Sequence, residues 1–446
     1  MIFVSNPNGI EGTFGPLPAF AEVRHVLHQL FDPRNPVADP PMTLFSPTKT
    51  PPDILCLYAA RALRGFGDGF AIIILPVYLS AIGFSPELIG IVASASLLGT
   101  AALTLITGFI APRFERRGLF LAGAGLIAFT GLLFPAAETI APVLLVAFIG
   151  SINPSGGDLG MLVPLEHALL TKETADRDRT AVFARYSLIG SLTAAVGSLA
   201  AALPEILASS GWPKLGAIKL MFYGYGALGL LAAFLYRRLP RDHSHAANVP
   251  KAALGPSRNI VYKLAALFSL DAFAGGFVVQ SLLALWLFQR FDLSLEAASV
   301  YFFCSSLLGA FSFPVAAWLA RRIGLINTMV FTHIPSSLCL IAAAFSSSLT
   351  MVLSLLLVRS ALSQMDVPTR SSYVMAVVTP AERTAAASVT AVPRSLASSI
   401  SPAITGFMLA GPFSGLPLVV CGCLKIGYDL ALLRMFQHTK PPEEIR

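Results

Sequence analysis

The sequence predicts an all-α membrane protein with twelve transmembrane helices in two six-helix pseudo-symmetric halves. Three observations lead to this fold class: the composition, the recurrence of long apolar runs, and an internal repeat. Hydrophobic residues make up 55% of the 446 positions and charged residues 12%, which is about half the charged share of a soluble domain. Mean hydropathy is +0.72. These values exclude a soluble enzyme.

Apolar runs of membrane-spanning length recur along the whole chain. Residues 88–110 and 118–137, for example, are each close to the ~20 residues that a spanning helix needs. Most of the segments between such runs are short and carry Pro or Gly, as tight connections between antiparallel helices require. The predicted spans are 54–82, 86–111, 118–136, 142–167, 180–203, 217–238, 260–288, 295–320, 325–345, 350–378, 384–409 and 416–436.

The polar segments divide the chain into five parts. Residues 1–51 lack the basic start and the continuous apolar region of a signal peptide, so we expect a disordered N-terminal tail. Met42 lies just before the first span, so translation that starts at Met42 is an open alternative. An N-terminal six-helix half (52–238), a cytoplasmic linker (239–258), a C-terminal six-helix half (259–437) and a cytoplasmic tail (438–446) follow.

Basic residues in the loops indicate the orientation. One set of alternating loops and tails carries sixteen Lys and Arg residues and the opposite set three. Positive charge accumulates on the cytoplasmic side, so we expect both termini and the linker in the cytoplasm, in a plasma (inner) membrane. The three residues of the opposite set are Lys214, Lys219 and Arg290.

Short motifs repeat at an offset of half the chain. The Asp178-Arg179-Thr180-Ala181 start of span five recurs as Glu382-Arg383-Thr384-Ala385 in span eleven, 204 positions later. The Ser-x-x-Asp of span four, ending at Asp158, recurs 208 positions later in span ten, and the Gly-Phe of span one recurs 207 later in span seven. Nearly equal offsets at equivalent spans indicate two halves in parallel orientation with a substrate path between them.

These features resemble the major facilitator superfamily over about residues 52–436. The family's arginine-rich motif after span two is matched by Gly108, Arg113, Arg116 and Arg117, and its second copy after span eight by Arg321, Arg322 and Gly324. The resemblance implies that these residues form a cytoplasmic gate motif. Both copies lack the family's acidic residue. The Gly-Pro pair of the family's drug antiporters is also absent from span five, which lowers the expectation of a multidrug exporter.

Charged residues inside the predicted spans are the candidate site residues, because each costs about 2.5–3.5 kcal/mol at mid-bilayer unless it has a partner or water. In span one and in span ten they lie on one helical face, at spacings of three, four or seven. The resemblance implies that spans one, four, seven and ten line the cavity, and each carries an acid. The candidates for solute or proton translocation are Arg61, Arg64, Asp68, Asp158, Arg185, Asp271, Arg359, Asp366, Arg370 and Arg394.

Structural interpretations of several charged residues stay open beside the functional one. Arg61 can extend to the cytoplasmic headgroups. The Arg64–Asp68 and Asp366–Arg370 spacings also fit ion pairs within one helix, and Lys425 and Asp429 show the same spacing in span twelve. His333 is expected to be a packed, hydrogen-bonded residue. Asp271 has no basic residue within four positions of its own helix, so it is the best candidate for reversible protonation, with Asp68 as its counterpart in the other half.

The function that these observations favour is secondary active transport of a small organic solute, proton-coupled and working by alternating access. The alternative is a uniporter or channel-like facilitator. We expect a monomer whose partners are the solute, protons and membrane lipid, without a cofactor, a metal, nucleic acid or enzymatic activity. The intramembrane charges considered are seven cations (Arg61, Arg64, Arg185, Arg359, Arg370, Arg394 and Lys425) and six acids (Asp68, Asp158, Glu166, Asp271, Asp366 and Asp429). This near balance favours neither a cationic nor an anionic solute.

Overall fold

The computed structural model describes residues 51–150, 152–156, 160–174, 179–241, 254–379, 382–437 and 439, and within these ranges the regular secondary structure is helical. Ten helical stretches are long and apolar enough to cross a membrane. Two further helical regions, the broken fourth span and Arg383–Leu409, complete the predicted twelve. The predicted fold class is therefore confirmed. Most of residues 1–51, 239–258 and 438–446, the predicted tails and linker, lies outside the described residues.

The described residues of the N-terminal half form eight α-helices, which make six spans. Spans four and five are each built from two helices. The helices are α1 Pro52–Ala81, α2 Pro86–Ile110, α3 Arg116–Leu133, α4 Ile140–Ile149, α5 Leu162–Lys172, α6 Arg179–Ala200, α7 Leu203–Ser209 and α8 Lys214–Tyr236.

The described residues of the C-terminal half also form six spans, but here spans seven and ten are the ones built from two helices. Its helices are α9 Arg258–Gly276, α10 Gln280–Phe291, α11 Leu295–Ile323, α12 Leu325–Phe345, α13 Leu349–Ser363, α14 Asp366–Ala376, α15 Arg383–Leu409 and α16 Leu416–Phe436.

Helix starts follow local sequence signals. Pro52 and Pro86 occupy first helical positions, where the missing N–H of proline costs no hydrogen bond. Ser294 and Ser348 accept hydrogen bonds from the N–H groups three residues ahead and cap α11 and α13. Such caps matter here because backbone groups within a bilayer must be satisfied by the protein itself.

Span four is interrupted where the sequence predicts a continuous helix. Helix α4 ends at Ile149 and α5 begins at Leu162. The backbone carbonyl of Pro154 in this gap accepts a hydrogen bond of 3.0 Å from the N–H of Ser281, just after the break in span seven. The interruptions of spans four and seven therefore meet, and each supplies a backbone group that the other needs.

The two halves use the same pairings of spans. Span one packs on span five as span seven packs on span eleven, and span three packs on span six as span nine packs on span twelve. Gly69 shows how close the first pairing is, since a Cβ there would lie 2.0 Å from the carbonyl oxygen of Ala194. Any larger residue at position 69 would push span five away from span one.

Spans two and eleven, and spans five and eight, join the halves. The Ser94 hydroxyl accepts a 2.8 Å hydrogen bond from the N–H of Ala403, and the Glu205 carboxylate accepts one of 2.9 Å from the N–H of Leu295. Both contacts lie in the half of the bundle nearest the loops predicted to be external.

Hydrogen bonds to Glu382 connect the end of the linker to the start of span eleven. Its carboxylate accepts hydrogen bonds from the hydroxyls of Thr379 and Ser257 and from the N–H groups of Gly255 and Ser257. These hydrogen bonds lower the pKa of Glu382 to about 2, so the carboxylate remains ionised at physiological pH.

Candidate solute and proton pathway

A buried carboxylate, Glu166 of span four, organises the charges of the N-terminal half. It is fully buried and forms an ion pair with Arg64 of span one. It also accepts hydrogen bonds from the hydroxyls of Tyr186 and Tyr236, the latter at 2.6 Å. Glu166 therefore balances the charge of Arg64, which the sequence had placed near Asp68.

The other predicted residues of span one lie close to this cluster. The Arg61 guanidinium is 5.3 Å from the ring centroid of Tyr186 and packs against Gly190, where a Cβ would meet it at 2.2 Å. Asp68 accepts a 3.3 Å hydrogen bond from the hydroxyl of Tyr225. The cavity beside Arg64, Asp68 and Tyr225 has a volume of about 40 Å³, which is room for a few water molecules and not for an organic solute.

Asp271 of span seven is the centre of the charges in the C-terminal half. One carboxylate oxygen lies 3.0 Å from Arg370 Nη1 and the other 2.7 Å from Lys425 Nζ. Arg370 Nη1 is also 3.1 Å from Asp366, four residues earlier in span ten. Asp271 is only 5% exposed. The basic partners that its own helix lacks are thus supplied by spans ten and twelve.

The chain of contacts continues from Lys425 to a histidine–aspartate pair between spans nine and twelve. Lys425 Nζ lies 3.2 Å from His333 Nε2, and His333 Nδ1 lies 3.1 Å from Asp429 Oδ1. An ammonium group can only donate, so Nε2 accepts from Lys425 and Nδ1–H donates to Asp429. Asp429 is fully buried, and its Oδ2 makes no hydrogen bond with the described residues.

Four predicted site residues lie outside these two clusters. Arg185 is half-buried in span five, and Asp158 lies outside the described residues. Arg359 and Arg394 are half-buried in spans ten and eleven. Arg394 is electrostatically coupled to Arg370, Asp271 and Asp366, which places it at the edge of the C-terminal cluster.

The predicted gate motif occupies the ends of spans two, three, eight and nine that face the predicted cytoplasm. Gly108 faces open space and Arg113 is exposed. Arg322 stacks on Trp318 with its guanidinium 4.5 Å from the ring centroid. Gly324 has φ of 86° and joins α11 to α12, a conformation that favours glycine. Arg116, Arg117 and Arg321 lie on the adjoining first and last helical turns.

Four acidic or basic residues of the clusters were not among the predicted site residues: Glu166, His333, Lys425 and Asp429. Each is an ionisable residue in an apolar span, which is the signal that could have found it. The spacing of Lys425 and Asp429 in span twelve fits an ion pair within one helix, yet Lys425 reaches Asp271 of span seven. Among the described residues, no group of three or more His, Cys, Asp or Glu side chains could hold a metal ion.

Two pseudo-symmetric six-helix halves, each with buried charges in its spans, define a multi-pass membrane transporter. Residues 57–402 match the sequence model of the Major Facilitator Superfamily. The chain belongs to this superfamily, and it is a transporter of a small solute rather than an enzyme.

Known proteins with similar sequences or folds include a yeast membrane protein and two transporters of solved structure. An uncharacterized membrane protein of Saccharomyces cerevisiae is 23% identical over 420 residues, which cover 86% of this chain and 94% of the yeast protein. Among solved structures, a D-xylose–proton symporter matches with a TM-score of 0.70 and 15% identity, covering 87% of this chain and 98% of the symporter. A nucleoside transporter matches with a TM-score of 0.67 and 15% identity, covering 86% of this chain and 99% of the transporter. At such identities the structural matches show the fold alone.

Proposed function

We propose that the chain is a proton-coupled secondary transporter that moves a small organic solute by alternating access. It acts as a monomer in the plasma (inner) membrane, surrounded by lipid, with both termini in the cytoplasm. The observation that carries this proposal is the buried chain of ionisable groups from Asp429 through His333 and Lys425 to Asp271. Such chains inside membranes are typical of proton relays.

The proton enters this chain at Asp429. Its Oδ2 is the atom without a hydrogen bond to the described residues, and both nitrogens of His333 are engaged by neighbours. A proton on Oδ2 neutralises Asp429 and weakens the hydrogen bond between Asp429 and His333. The proton stays on Asp429, because Nδ1 of His333 already carries a hydrogen. Nε2 can bind a further proton, from water, only after Lys425 has moved away from it.

Movement of Lys425 transmits the protonation state to the cavity. Lys425 bonds Asp271 as well as His333, and Asp271 in turn bonds Arg370. Proton loading in spans nine and twelve thereby alters the ion pairs between spans seven and ten, which line the central cavity in this family. In this mechanism the ion pairs of Asp271 with Arg370 and Lys425 switch between two arrangements, one for each protonation state.

Alternating access requires the external contacts between the halves to open and close. The hydrogen bond between Ser94 and Ala403 joins span two to span eleven in the external half of the bundle. Opening the cavity to the outside requires this contact to separate, while the interfaces within each half remain packed.

A disulfide across this contact should stop transport. In a background without the five native cysteines, we expect oxidation of the Ser94→Cys/Ala403→Cys variant to abolish counterflow of labelled solute in proteoliposomes, and a reductant to restore it. Each single-cysteine variant is the matched control and should keep its activity under oxidation. Full counterflow by the cross-linked variant would show that transport needs no separation at this contact.

A further inference from the structure

The charges of the C-terminal half are not all paired. Asp271 pairs with Arg370 and Lys425, Asp366 pairs with Arg370, and Asp429 with His333. In the middle of these spans two cations remain whose guanidinium groups make no ion pair or hydrogen bond with the described residues: Arg359 and Arg394.

Arg394 is the cation whose position suits a ligand. It lies eleven residues into α15, about 16 Å from the predicted cytoplasmic end at 1.5 Å per residue, and is therefore near mid-membrane. Its Nε is buried without a hydrogen bond, while the residue as a whole is only half-buried. Arg370 repels it, while Asp271 and Asp366 attract it, but neither acid forms an ion pair with its guanidinium group, which leaves room for a negatively charged ligand at this point.

The balance of buried charge points to the same ligand chemistry. The spans of this half contain four cations within the charged region (Arg359, Arg370, Arg394 and Lys425) against three acids (Asp271, Asp366 and Asp429). Protonation of Asp429 would raise the excess positive charge further. A cation in a low-dielectric region is costly until a counterion arrives, and a planar guanidinium group matches carboxylate and phosphate oxygens.

We infer that the transported solute is a small organic anion whose carboxylate or phosphate group binds Arg394. This inference rests on the proposed transport function and names its substrate class. It also specifies the coupling: the proton on Asp429 removes one negative charge, and the anion restores it. Proton and anion therefore bind together and move in the same direction.

Binding to the purified, full-length protein tests the inference without any gradient. The probes are benzoate, succinate and inorganic phosphate, with benzamide and succinamide as uncharged counterparts, and the measured quantity is the thermal unfolding midpoint against probe concentration. We expect at least one anion to raise the midpoint of the wild type while the amides leave it unchanged. Arg394→Gln should weaken that anion's apparent affinity at least tenfold. Arg290→Gln, which removes an exposed cation in the last turn of α10, should bind like the wild type.

Two further variants separate a binding defect from misfolding and from failed coupling. Arg394→Lys keeps the charge but not the planar fork, and should bind the anion with an affinity between those of the wild type and Arg394→Gln. Asp429→Asn mimics the protonated acid, and should bind the anion at least as tightly as the wild type even if gradient-driven transport is lost. Equal anion affinity in Arg394→Gln and wild type, or stabilisation by the amides and not by any of the anions, would overturn the inference.

Discussion

Replacing Glu166 with glutamine should destabilise the N-terminal half by about 3–5 kcal/mol, the usual cost of removing one partner of a buried ion pair. Glu166 is fully buried, forms an ion pair with Arg64 and accepts hydrogen bonds from the hydroxyls of Tyr186 and Tyr236. Glutamine preserves the size of the side chain but leaves Arg64 charged in an apolar interior. The measurement is the thermal unfolding midpoint of the purified variant, which should fall by several degrees.

Glu138→Gln is the matched control for this change. Glu138 also pairs with a cation in the same half, Lys219, at 2.6 Å, but its side chain is 62% exposed. Exposed ion pairs contribute little because water screens them, so this variant should unfold near the wild-type midpoint. Equal midpoints for Glu166→Gln and Glu138→Gln would contradict the role assigned to Glu166.

Replacing His333 with glutamine should abolish proton-driven accumulation of solute while leaving counterflow largely intact. Glutamine can still hydrogen-bond to Lys425 or Asp429 but cannot carry a proton between them. Gradient-driven flux in proteoliposomes should fall to the level of protein-free liposomes, whereas counterflow needs no net proton movement.

Two further variants are compared with His333→Gln, one as a negative control and one that should show the same defect. His167→Gln removes a histidine of span four that the proposed relay does not include, and should keep gradient-driven flux. Asp429→Asn removes the proposed proton acceptor and should reproduce the His333→Gln phenotype. If both His333→Gln and Asp429→Asn accumulate solute like the wild type, the proton does not pass through spans nine and twelve.

The fold could be predicted from the sequence because its signals are local or statistical. Apolar runs of about 20 residues, the bias of Lys and Arg between loops, and the repeated motifs near Asp158 and Arg179 are all visible in one chain. The interruptions of spans four, five, seven and ten were not predicted. The hydrogen bond between Pro154 and Ser281 shows why, since such breaks depend on contacts between distant segments.

The site could be predicted only in part, since helical spacing reveals partners on the same helix alone. The spacing of Asp366 and Arg370 corresponds to a contact of 3.1 Å. Lys425 and Asp429 show the same spacing, yet Lys425 bonds Asp271, 154 positions away. In the same way Arg64 reaches Glu166 across 102 positions. Nothing in a single sequence distinguishes these long-range pairs from the local ones.

The most direct test of the account is solute accumulation by the wild-type protein in proteoliposomes under an imposed pH gradient. The solute is the anion that gives the largest thermal stabilisation, and the external pH is set one unit below the internal pH. We predict that the solute accumulates inside above its external concentration and above the level reached in protein-free liposomes, and that a protonophore abolishes this accumulation. Entry that stops at equal concentrations with or without the gradient would contradict the account and identify a uniporter or channel-like facilitator instead.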